Sequence, residues 1–66
     1  MDVKYPEIEV QLSGEDGNAM LILARVRKAL RRNGVEKDEI EEFVKEATSG
    51  DYNHLIATCM RWVNAG

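Results

Sequence analysis

The sequence predicts a mainly helical domain with one N-terminal β-strand, in the order β-α-α-α. Three observations carry that expectation. Residues 7–13 alternate apolar and polar side chains, residues 19–64 hold three apolar stripes at helical spacing, and Asn33-Gly34 and Ser49-Gly50 separate the stripes. The 66 residues suffice for one small domain. A chain of this size buries only about 60% of the surface it exposes when unfolded, so a partner subunit or well-packed helices must supply its stability.

The strand is expected over 7–13. Ile8, Val10 and Leu12 lie on one face, Glu7, Glu9, Gln11 and Ser13 on the other, and Pro6 suits the first position of a strand. The loop Gly14-Glu15-Asp16-Gly17 follows, and Asn18 is a favourable helix cap. The first helix is expected over 19–32, with a core stripe of Ala19, Ile22, Leu23, Val26, Ala29 and Leu30. Gly34 is its natural left-handed terminator. The second helix is expected over 37–48, with Asp38 and Glu39 at the positive end of its dipole and Val35 and Ile40 at staple spacing. Its buried stripe is Ile40, Phe43, Val44 and Ala47. Asp51 caps a third helix over 52–64, whose inner face is Tyr52, Leu55, Ile56, Cys59, Trp62 and Val63.

A lone strand leaves its backbone groups without partners, and no other segment alternates. Pairing with the same strand of a second copy satisfies it, so a homodimer or higher oligomer is expected. An antiparallel pair centred on Val10 sets Ile8 against Leu12 and avoids a Glu9–Glu9 contact. Ile8, Val10, Leu12, Met20 and Leu21 are the expected interface, because Met20 and Leu21 fall outside the core stripe of the first helix.

The net charge is −3, but unevenly spread. Residues 19–34 carry five bases and no acid, whereas 35–50 carry two bases and six acids. The basic row Arg25, Lys28 and Arg32, flanked by Arg27 and Arg31, is the candidate partner-binding face. The competing reading is a solvated surface paired with Glu36, Asp38, Glu39, Glu41, Glu42 and Glu46. Gly14, Gly17 and Asn18 precede a helix N-terminus and form a candidate anion site, although Glu15 and Asp16 oppose phosphate there.

Catalytic chemistry is not indicated. His54 and Cys59 lie on different sides of one helix, Cys59 reads as a core residue, and no triad is present. Asp51 and His54 share a face, but helix capping by Asp51 is the simpler account than metal binding. No cofactor is expected. The longest apolar run, residues 19–24, is far short of the roughly 20 residues that span a bilayer, and the N-terminus lacks a signal-like pattern, so a cytoplasmic setting is expected.

Several segments together carry a resemblance: Glu15-Asp16-Gly17-Asn18-Ala19, Ile22 through Val35 (ILARVRKALRRNGV), Glu46-Ala47-Thr48-Ser49-Gly50-Asp51-Tyr52, and Met60-Arg61-Trp62-Val63. From Tyr5 to Val63 the chain resembles a family of short, mostly uncharacterised proteins met in bacteriophage, prophage and other mobile elements, and in bacterial chromosomes. Glu36 departs from the serine or threonine more usual before the second helix. The resemblance implies a viral or mobile-element setting and brings no residue-level activity.

The leading expectation is a non-enzymatic, homo-oligomeric accessory protein that engages or sequesters a host component through its basic helix. An oligomeric small-anion or nucleotide binder, acting as a signal sponge, is the alternative. The strand-helix-helix order is shared by ribbon-helix-helix DNA-binding repressors, but outward Glu7 and Glu9 oppose contact with nucleic acid.

Overall fold

The structure, a computed structural model, describes residues 3–12 and 18–65. Ser13, at the expected strand end, and the Gly14–Gly17 loop lie outside the described residues. The chain runs through β1 (Tyr5–Val10), α1 (Ala19–Arg32), α2 (Lys37–Ala47), α3 (Tyr52–Trp62) and β2 (Val63–Ala65).

Each helix begins where a side chain or a charge favours it. Asn18 holds extended backbone angles, and its Oδ1 accepts from the N–H groups of Met20 at 2.9 Å and Leu21 at 3.4 Å. Two of the four orphan donors at the start of α1 are satisfied in this way. Ile22, Val26 and Leu30, each four residues apart, are the buried line of α1. Asn33 ends the helix, its side chain donating to the Ala29 carbonyl at 2.7 Å, and Gly34 turns the chain at φ +83°. Glu36 precedes α2 without a side-chain capping bond, so the start of α2 is favoured by Asp38 and Glu39 in its first turn instead. Asp51 Oδ1 accepts from the His54 N–H at 2.9 Å and starts α3.

The strand is not alone. The helical pattern of 52–64 ends early, at Trp62, and Val63 swings to extended angles (φ −134°, ψ 167°). The three residues of β2 then pair in parallel with β1, with Tyr5 opposite Val63, Glu9 opposite Asn64 and Val10 opposite Ala65. The Lys4 N–H extends the junction by donating to the Arg61 carbonyl at 2.9 Å. The premise that no segment of the chain could pair with the strand is therefore corrected, because its own C-terminal end does so. Val63 concealed this, since a buried residue after Cys59 and Trp62 fits a helical stripe as well as a strand. Parallel neighbours need a long crossover, and the three helices provide it.

One core joins all five elements. Ile8 and Val10 from β1 meet Ile22, Val26 and Leu30, then Phe43 and Ala47, then Leu55, Cys59 and Trp62, with Val63 from β2. Trp62 packs edge-on against Phe43 at 5.3 Å between ring centroids and tilted against Tyr5 at 6.1 Å. The one buried polar side chain among the described residues, Thr58, donates to the His54 carbonyl at 2.8 Å. Tyr52, expected inside, stands on the surface. Among the described residues no helix is long and apolar enough to cross a membrane.

The residues of the expected interface differ in their exposure. Ile8 and Val10 are 2% and 7% exposed, because the apolar face of β1 is the floor on which the helices pack. Their side chains are used inside the subunit. Leu12 is half-buried, whereas Met20 and Leu21 stand out at 78% and 49% exposure.

Candidate functional site

Helical geometry divides the cations of α1 into two sets. Arg25, Lys28 and Arg32 lie toward β1 and, with Glu9, Val10 and Ala29, line a shallow cleft of about 430 Å³. Arg27 and Arg31, one turn apart, lie toward α2. They line a larger open groove of about 900 Å³ with Val35, Lys37, Ile40, Glu41, Val44 and Lys45. The single basic face expected from sequence is thus two faces, because β1 and α2 flank α1 on opposite sides.

Among the described residues no ion pair joins α1 to α2: Glu39 pairs with Lys4, and Glu46 pairs with Arg61 at 2.8 Å. Arg25 is engaged within the chain. The Lys4 ammonium also lies 4.2 Å from the centroid of the Trp62 ring, so its charge is shared between a carboxylate and an aromatic face. Contact with Lys4, and next with the Tyr5 hydroxyl, holds the Glu39 carboxyl below the usual carboxylate range, while Lys4 is raised by the same pairing.

The remaining candidates are occupied by structural duties. Asn18 uses the N–H groups at the start of α1 that an anion would need, while its partners Gly14 and Gly17 lie outside the described residues. His54 Nε2 lies 2.8 Å from the Glu46 carbonyl and 3.1 Å from Ser49 Oγ. A carbonyl only accepts, so Nε2 carries a proton and the ring serves as a cap on the last turn of α2. Burial pushes the Cys59 thiol up to about 11, which keeps it protonated and unreactive near neutrality. Among the described residues no group of three or more His, Cys, Asp or Glu side chains could hold a metal ion.

No family model, curated protein or solved structure matches the chain.

Chemically, the α1–α2 groove offers an apolar floor with a cationic rim, and the cleft beside β1 offers cations around Glu9. Both are binding geometries. Sequence reasoning found Arg27 and Arg31 but missed Lys37 and Lys45. The signal was present: Lys37, Glu41 and Lys45 recur every fourth residue and so form one row along α2. Only the packing of α2 beside α1 turns that row toward Arg27 and Arg31.

Proposed function

We propose that this chain is a non-enzymatic binding module of the phage or mobile-element accessory type. It works in the cytoplasm as a homo-oligomer and engages or sequesters an anionic host component through the basic sides of α1. The observation that carries this reading is the absence, among the described residues, of ion pairs between α1 and the acid-rich α2, which leaves Arg27, Lys28, Arg31 and Arg32 for a partner. Self-association uses the edge of β1 opposite β2, where backbone groups can extend the sheet into a second copy. Glu7 and Glu9 are exposed on the outer face of β1 and disfavour a nucleic acid as the partner. A small-anion binder ranks second, since Asn18 already takes two N–H groups at the α1 N-terminus.

Native mass spectrometry on protein purified gently from an expressing host tests both parts. A dimer or larger assembly is expected, with bound host material that is lost when Arg27→Glu, Lys28→Glu, Arg31→Glu and Arg32→Glu are combined in one variant whose helical circular dichroism is unchanged. A bare monomer in every preparation overturns the reading. A small molecule retained at fixed stoichiometry moves the signal-sponge alternative ahead.

A further inference from the structure

We infer that the groove between α1 and α2 docks an acidic amphipathic helix of a partner protein. The inference rests on the reading that the chain acts by binding through the basic sides of α1, and it names the face and the class of partner.

The floor comes first. Val35, Ile40 and Val44 pack against the core yet remain only half-buried. They lie in a trough between two helices joined by a short turn, and a third helix seats naturally in such a trough. The 11 residues of α2 run for about 16 Å, or three turns, which matches the reach of a ligand helix anchored at i, i+3 or i+4, and i+7.

The rim sets the charge of the ligand. Arg27 and Arg31 stand on one wall, Lys37 and Lys45 on the other, and Glu41 is the one carboxylate among the lining residues. The whole chain carries −3, so this positive rim is a local reversal of its field. An apolar ridge flanked on both sides by Asp or Glu is the complement, and guanidinium groups one turn apart suit carboxylates at the same spacing.

Met20 extends the surface. By helical spacing it lies on the same side of α1 as Arg27 and Arg31, seven and eleven residues earlier, and it is 78% exposed. An exposed, unbranched thioether on that side adapts to differing apolar anchors.

The test is a selection of helix-forming peptides from a randomised display library on the full chain. Affinities of the recovered peptides are then measured by fluorescence anisotropy. The expected peptides carry acids flanking an apolar stripe. Arg27→Glu/Arg31→Glu should weaken them by about tenfold or more, while Lys28→Glu/Arg32→Glu changes affinity by less than about twofold. All four residues are exposed, and circular dichroism verifies that each variant is folded. Loss only in Lys28→Glu/Arg32→Glu overturns the groove and preserves the basic-helix reading. Insensitivity to both pairs overturns both. Recovery of basic or neutral peptides, or of none, overturns the acidic helix. So does binding confined to phosphatidylglycerol vesicles, which would make an anionic membrane surface the ligand.

Discussion

The indole N–H of Trp62 points at the carboxylate of Glu46, with 3.4 Å between Nε1 and Oε2, across the junction of α2 and α3. The other oxygen of Glu46 accepts from Arg61 at 2.8 Å, so one carboxylate serves two consecutive residues of α3. Its backbone carbonyl meanwhile accepts from Ser49 Oγ at 2.7 Å. Glu46 therefore ties the closing residue of the core to the end of the neighbouring helix.

Glu46→Ala should destabilise the fold by about 1 kcal/mol, a modest figure because the Arg61 pair is half exposed and the indole bond is long. Glu46→Gln keeps an acceptor for Trp62 and should cost less. Urea denaturation followed by the fluorescence of Trp62, the single tryptophan, reads both values. Equal losses would show that the indole bond contributes nothing.

Two glycines should respond to alanine for different reasons. Gly34 has φ +83° with nothing within 4 Å of an added Cβ, so Gly34→Ala meets only backbone strain, about 1–2 kcal/mol. At Gly50 an added Cβ would lie 2.8 Å from both Cβ and Cγ of His54, displacing the ring from the Glu46 carbonyl. A double-mutant cycle separates them: His54→Gly, which removes the Cβ together with the ring, should relieve the loss at Gly50 and leave the loss at Gly34 unchanged.

The Asn18 cap carries the start of α1. Asn18→Ala should cost about 1 kcal/mol in thermal or urea unfolding. Asn18→Asp should equal or exceed the parent by about 0.3–1 kcal/mol, because the first turn of α1 contains no acid to meet the positive end of the dipole. A destabilised aspartate variant would refute this account of the helix start.

The Lys4–Glu39–Tyr5 group gives stability two pH limbs. Pairing with Glu39 raises Lys4, and burial first, then Glu39, raises Tyr5. Their contribution is whole below about pH 10, the ordinary value of both groups, and is lost as pH rises through the higher folded values. Glu39 is lowered, so its contribution is present above about pH 4.3 and is lost as pH falls through the lower folded value. Glu39→Gln should flatten both limbs in a series of melting temperatures against pH. Because the pair is partly exposed, added salt should shrink the effect in the parent.

Local signals made much of this architecture legible. The line Ile22, Val26, Leu30 and the caps Asn18 and Asp51 depend on neighbours within a few residues, and each lies where sequence spacing places it. The strand begins at Tyr5, earlier than the alternation indicates, because Tyr5 packs against Trp62 far away in sequence. β2 was hidden for a similar reason: three residues are too few to display a period, and their pairing depends on a partner more than fifty residues away. The cations of the candidate site were legible as a group. Their division between two faces was not, since it follows from where β1 and α2 settle against α1.

The parallel pairing of β1 with β2 places the first and last strands of the described chain side by side. In kinetic terms, these are the least local contacts in a fold whose helical hairpins can form from adjacent sequence. Val63→Ala should therefore speed unfolding and scarcely slow refolding in a stopped-flow chevron, the mark of a contact made after the rate-limiting step. The same adjacency makes the domain a candidate for circular permutation: a linker that runs back along the sheet for about 17 Å, from Ala65 beside Val10 to the start of β1 at Tyr5, can rejoin the strands while a new opening at the exposed Ser49–Gly50 turn leaves the core elements whole.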